Sequence, residues 1–244
     1  MKGKEWFGEW FDSPYYHILY KDRDHQEAQL FIDKLIDYLQ LEKDAKIMDL
    51  ASGKGRHSMY LNKKGFDVIG LDLSSANVKY ANKKSNERLQ FFEHDMRNLF
   101  RREEFDYVFN LFTSFGYFET QEENQLAIKN VADGLKSGGK LVLDFLNPYK
   151  VIHHLVPEEI KIKESIEFHI TKNVDEQGYI IKNIKFEDDG KLYMFQEKVK
   201  AIRKKEFLTY FEKAGLEVEV IFGDYDLNPY DCDNSERMIF IVKK

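Results

Sequence analysis

The stretch from Ile47 to Ser74, IMDLASGKGRHSMYLNKKGFDVIGLDLS, constrains the fold more than any other part of the chain, because it parses as strand, glycine loop, helix and strand. The run Ile47-Met48-Asp49-Leu50-Ala51 is short and apolar enough for a buried strand. It ends in Ser52-Gly53-Lys54-Gly55, where glycines let the backbone turn tightly and approach a ligand closely. A helix over Arg56 to Lys64 follows, with Gly65 as its stop, and the strand Asp67 to Asp72 carries an acid at its carboxyl end, roughly twenty residues after the glycines. In a doubly wound α/β sheet, neighbouring strand ends flank one crevice, so loop and acid face the same ligand. An acid so placed suits a ribose diol.

Which nucleoside is expected turns on the loop. The window Gly53-Lys54-Gly55-Arg56-His57-Ser58 ends in serine and departs from the dinucleotide fingerprint. Together, Asp49, Ala51, Gly53 and Gly55 resemble the first motif of the class I S-adenosylmethionine-dependent methyltransferases, acid-x-Gly-x-Gly-x-Gly, with Ala51 replacing the first glycine. Alanine tolerates extended backbone, which predicts a slightly tighter loop there. Later stretches resemble the family too. A helical stripe over Asp24 to Leu39 precedes the first strand, Asp95 follows a third strand at Leu89 to Phe92, and a helix ending in Gly138-Gly139 leads into a strand over Lys140 to Phe145. The strands Leu216 to Phe222 and Arg237 to Val242 have no helix between them and must pair antiparallel.

The resemblance covers about residues 25–147 and 203–242 and implies a Rossmann-like, mostly parallel seven-stranded sheet in the order 3-2-1-4-5-7-6, the last strand reversed. It also implies S-adenosylmethionine as cofactor, S-adenosylhomocysteine as product, and a site lined by Ala51, Gly53, Gly55, Asp72, Leu73, Asp95, Met96 and Leu111, with Asp49 near the cofactor's amino group. The acceptor implied is a small molecule, an amine foremost. A cofactor-binding scaffold without turnover and an NAD-dependent oxidoreductase are the alternatives.

Composition narrows the partners. The formal net charge of −6 disfavours a phosphate backbone, so nucleic acid is not expected. The one cysteine, Cys232, makes no internal disulfide, and no long apolar run or leader-like start stands out, so a cytoplasmic protein without membrane contact is expected. The histidines lack metal-ligand spacing, so no metal is expected, and Gly53-Lys54-Gly55 lacks the Lys-Ser/Thr of a phosphate loop.

Two segments fall outside the motif. Residues 1–22 hold Trp6, Phe7, Trp10, Phe11, Tyr15, Tyr16, His17 and Tyr20, which either staple the terminus to the core or form a lid whose ring faces attract a cationic centre. Residues 148–202 read as an inserted subdomain of three antiparallel strands, Ile160 to Thr171, Tyr179 to Phe186 and Lys191 to Ile202. That insertion divides a methyltransferase domain of 1–147 plus 203–244, and either covers the cofactor's open side or forms a homodimer surface. In-line methyl transfer needs alignment more than a nucleophile. Proton acceptors are therefore only candidates: Tyr15, Tyr16 and Tyr117 first, then His17, His153 and His154. Asn110 reads either as a substrate ligand or as a strand end, and Arg56 as a loop-ordering or carboxylate-binding residue.

Overall fold

The computed structural model describes residues 6–21 and 25–244; the side chains of Trp6, Phe7 and His25 lie outside the described residues. The aromatic segment forms two short helices, α1 (Trp6–Phe11) and α2 (Pro14–Leu19), joined at Ser13, whose side chain caps α2 by accepting from the Tyr15 amide. Helix α3 (His25–Leu39) buries Ala28, Phe31, Ile32 and Leu35, the helical stripe expected from the sequence. Then come β1 (Lys46–Leu50), α4 (Arg56–Lys63), β2 (Asp67–Asp72), α5 (Ser75–Ala81), β3 (Leu89–Glu93), β4 (Phe105–Asn110), α6 (Gln121–Gly134) and β5 (Leu135–Leu146). Thr120 and Glu123 form a capping box at the start of α6. Strand β5 starts earlier than the expected Lys140, because Leu135 already pairs with Phe105 before the register shifts.

After α7 (Pro148–His153) the chain makes β6 (Glu158–Lys163), β7 (Ile166–Val174), β8 (Tyr179–Asp188) and β9 (Lys191–Lys200), then returns through α8 (Lys204–Lys213), β10 (Glu217–Phe222) and β11 (Arg237–Lys243). The main sheet runs β10-β11-β5-β4-β1-β2-β3, the order the resemblance implied, with β11 antiparallel to both neighbours. Helices α6 and α8 cover one face through Ala127, Ile128, Phe207 and Phe211. Helices α3, α4 and α5 cover the other through Phe31, Leu61 and Val78. The order reverses between β1 and β4, so the open crevice of the sheet lies at their carboxyl ends.

The insertion corrects one expectation: it has four antiparallel strands, not three. The segment read as one strand turns back at Glu164 and Ser165, both left-handed at φ 49° and 69°. A two-residue turn of this hand is normally marked by Asn or Gly, and no such marker is present. The inner face of this sheet carries Phe168, Ile170, Ile184 and Phe186 and packs on Trp10 and Leu19. Among the described N-terminal rings, Trp10 and Tyr15 are thus stapled to the insertion.

Candidate active site

Strand β1 delivers the chain into a loop with three left-handed residues, Ala51 at φ 63°, Gly53 at 56° and Gly55 at 81°. Ala51 is therefore not extended, as its side chain suggested; it adopts the geometry of the glycine it replaces, at a cost of about 1–2 kcal/mol for the Cβ. The loop is tied down by the Ser52 amide donating to the Leu71 carbonyl (2.9 Å) and the Gly53 amide donating to Asp72 Oδ2 (2.7 Å). At Gly53 the space that a Cβ would enter is open. At Gly55 a Cβ would lie 2.6 Å from the Phe91 ring, so that glycine serves the packing of α4 against β3 and does not line the cleft.

Asp49, inside β1, is 2 % exposed and accepts from Ser58 Oγ at 2.5 Å. Burial, opposed by that hydrogen bond and reinforced by the nearby Asp72 charge, pushes its carboxyl up to about 6. Asp72 ends β2. Its Oδ2 takes the Gly53 amide, and its Oδ1 takes the Ser74 amide (2.9 Å) and Asn77 Nδ2 (3.5 Å), which leaves Oδ2 a lone pair for a further donor. Burial raises its pKa against these hydrogen bonds. Asp95 is held by Arg97, whose Nη2 lies 2.7 Å from its Oδ2 while Nη1 reaches Glu123. Burial raises the Asp95 pKa, but the Arg97 hydrogen bonds and charge win and hold it below the ordinary range.

These residues open onto one cleft of about 1300 Å³ that runs across the carboxyl edge of the sheet. Asp49, Ala51, Gly53, Asp72, Leu73, Asp95, Met96 and Leu111 all line it, so Gly55 alone of the nine expected cofactor residues does not. Tyr16 and Tyr117 also line it, and the Tyr117 hydroxyl donates to the Thr113 carbonyl (2.6 Å). Tyr15 does not. Its ring packs on Phe186 and Tyr193, and its hydroxyl donates to Asp188 (2.8 Å) in the insertion. His17 lines the cleft with its pKa lowered by burial and by Lys54, whereas His153 faces the Tyr149 carbonyl. Asn110 is buried and donates to the Leu50 carbonyl (2.9 Å), the strand-end role. Arg56 and His57 form the wall beside Phe112, His57 stacking on that ring at 4.7 Å.

Two parts of the site rest on contacts between residues far apart in the chain. Beyond β4, Phe112 and Thr113 are both left-handed, at φ 60° and 59°, and are clamped by the fully buried Asp144: its Oδ2 accepts from the Phe112 amide (2.7 Å), and its carbonyl from the Thr113 amide. Asp144 in turn pairs with Arg237 (2.7 Å). The only sequence signal was an acid inside the apolar run Leu141 to Phe145 and a base heading the apolar run of β11. Over the cleft, the insertion presents Lys172, Lys182 and Glu197 in one cross-strand row. Glu197 accepts from Trp10 Nε1 (2.7 Å) and the Tyr20 hydroxyl (2.6 Å), which latches the N-terminal helices to the insertion. Asp12 closes the near rim by accepting from Ser74 Oγ.

The residues fit an adenosyl cofactor. The cleft offers an open cradle at Gly53, an acid at a strand end, Asp72, whose Oδ2 has a lone pair to spare, and the buried Ser52 Oγ, which has no partner among the described residues. No group of three or more His, Cys, Asp or Glu residues with metal-binding geometry occurs among the described residues. No helix among them is long and apolar enough to cross a membrane.

Fold and cleft together are those of the class I S-adenosylmethionine-dependent methyltransferases. Residues 47–139 match the family model described as a methyltransferase domain. A glycine/sarcosine N-methyltransferase of Aphanothece halophytica is 26 % identical over 232 residues, which covers 91 % of this chain and 83 % of the relative. The crystal structure of an S-adenosylmethionine-dependent methyltransferase from Clostridium acetobutylicum superposes with a TM-score of 0.79 at 21 % identity, covering 94 % of this chain and 95 % of the other. The S-adenosylmethionine-bound amino pentose methyltransferase CalS10 from Micromonospora echinaspora superposes at 0.68 and 22 % identity, with 95 % and 97 % covered.

Proposed function

We propose that this methyltransferase acts on the nitrogen of a small-molecule amine, in a site formed by the sheet edge below and the insertion above. The observation that carries the reading is the roofed cleft. It continues past the rim lined by Asp49, Asp72 and Asp95 to Thr113, Tyr117 and Arg237, under Lys172, Ile180 and Val199 of the insertion, with room for a second small molecule. The relatives named for glycine, sarcosine and an amino pentose support an amine.

When bound, the cofactor supplies a methyl group already activated on a sulfonium. The protein's work is to bind, align and exclude water. Asp72 holds the ribose, its Oδ2 keeping a lone pair for a hydroxyl, with Leu73 at the rim, and Asp95 and Met96 meet the adenine. Ala51, Gly53 and Leu111 line the methionine end, and the Asp49 carboxylate faces the amino group. Residues 148–202 act as a lid subdomain on the domain of 1–147 plus 203–244, with the Glu197 latch coupling lid and N-terminal helices. An amine acceptor must arrive neutral or lose a proton. His17 is kept neutral by burial and Lys54, and Tyr16 and Tyr117 share the cleft, so these three are the groups within reach. S-adenosylhomocysteine is the product and the cytoplasm the expected compartment. The test is S-adenosylhomocysteine release with panels of amines and of alcohols. Release with amines and none with alcohols is expected; turnover confined to hydroxyl acceptors overturns the nitrogen assignment.

A further inference from the structure

Arg237 has more donors than its structural role uses. It opens β11, which is separated from β4 by β5, so at about 4.8 Å per strand it sits roughly 10 Å beyond β4, on the opposite side from β2 and β3. Its Nε donates to Asp144 Oδ1 (2.8 Å), and its Nη2 to Thr113 Oγ1 (2.8 Å). Asp144 is itself immobilised by the Phe112 amide and by the Tyr225 hydroxyl (3.3 Å). One edge of the guanidinium is therefore fixed. Nη1, on the other edge, has no partner among the described residues, although the side chain is only 17 % exposed and lines the cleft. That edge is open to the cleft, where a ligand's oxygens can take its donors in the planar fork geometry.

The roof supplies the second observation. Lys172 and Lys182 stand directly opposite each other on β7 and β8, a like-charge pairing that a bare sheet disfavours. The charged neighbours acting on Lys182 are Lys161, Lys172, Glu159 and Glu197, so three lysines face two glutamates and one positive charge is left over. The floor thus offers an open donor edge and the roof one positive charge left over.

Building on the methyl-transfer reading, we infer that the acceptor carries an oxyanion, a carboxylate or a phosphate, and that Arg237 receives it on its open edge. A guanidinium fork matches both anions in a way an ammonium does not. The pair with Asp144 and Thr113 sets the plane in advance, so the acceptor amine is positioned from its far end.

The experiment compares wild type with Arg237→Lys, which keeps a charge opposite Asp144, using matched amines: glycine and β-alanine against their amides, and phosphoethanolamine and glucosamine 6-phosphate against the unphosphorylated amines. At least one anionic member is expected to exceed its neutral counterpart by about tenfold or more in kcat/KM, and Arg237→Lys to raise its KM about tenfold with kcat and the Kd for S-adenosylhomocysteine nearly unchanged. The two sets of pairs separate carboxylate from phosphate. Equal use of neutral and anionic members overturns the inference. So does an equal loss of S-adenosylhomocysteine affinity, which would place Arg237 on the cofactor. Should no amine react, the nitrogen assignment fails by itself, and the anion site is read from the melting point of the S-adenosylhomocysteine complex with acetate or inorganic phosphate. A rise in wild type that Arg237→Lys abolishes supports the site; no rise, or the same rise in both proteins, overturns it.

Discussion

Asp49→Asn separates the stability of this protein from its ligand binding, and the structure gives the size of the effect. The Asp49 carboxyl is fully buried and is pushed from 3.8 to about 6, a shift of about two pH units, or about 3 kcal/mol at neutral pH. The sign follows from proton counts. Between 3.8 and about 6 the folded protein holds a proton that the unfolded chain has released, so stability falls as pH rises through that window and is level above it. Asparagine keeps an acceptor for Ser58 Oγ and does not titrate, so any cost of its new amide group is the same at every pH. Urea denaturation of both proteins from pH 4 to 8, without ligand, should therefore show wild type losing about 2–3 kcal/mol relative to the variant between pH 4 and 7. Calorimetry should show the opposite ranking for S-adenosylhomocysteine, which binds the variant at least about 1 kcal/mol more weakly at pH 7.5, since the charge facing its amino group is gone. Parallel stability profiles would refute the reasoning, because Asp49 would then titrate alike folded and unfolded.

Three further outcomes follow from contacts in and around the cleft. Gly55→Ala forces a Cβ to 2.6 Å from Phe91 at a left-handed residue, and should cost about 2–4 kcal/mol in urea denaturation while the folded fraction keeps its S-adenosylhomocysteine affinity; a selective loss of affinity would put Gly55 in the site. Asp72→Asn should weaken S-adenosylhomocysteine by about 1–3 kcal/mol, and an unchanged dissociation constant would show that the ribose is held elsewhere. Glu197→Gln loosens the acceptor of both Trp10 Nε1 and the Tyr20 hydroxyl, so amide exchange over residues 6–21 should accelerate with little change over β1 and β4; unaltered exchange would mean the ring packing alone holds those helices.

What was legible in the sequence was local. Strand, glycine loop and strand-end acid follow each other within one βαβ unit, so the order of residues along the chain is enough to bring Asp49, Gly53 and Asp72 together. The reversed last strand was legible for a similar reason, since its connection to β10 holds no helix to carry a parallel crossover. Backbone hand was not legible where the usual residue is missing. Ala51 and the Glu164-Ser165 turn are left-handed without glycine or asparagine because their surroundings enforce it. Gly55 fits a binding motif and also packs under Phe91, a need the motif does not reveal. The Asp144 and Arg237 pair could not be read at all, because only the register of β5 against β11 brings the two residues together. The same holds for Tyr15, whose partner Asp188 lies far along the chain in the insertion.

The most direct measurement is a crystal structure of the protein with S-adenosylhomocysteine. The adenosine is expected over the carboxyl ends of β1, β2 and β3, with Asp72 on the ribose hydroxyls, Asp49 facing the amino group, and the sulfur pointing toward Thr113 and Tyr117. Ligand density on any other surface, or a ribose out of reach of Asp72, would contradict the assignment of this cleft to the cofactor.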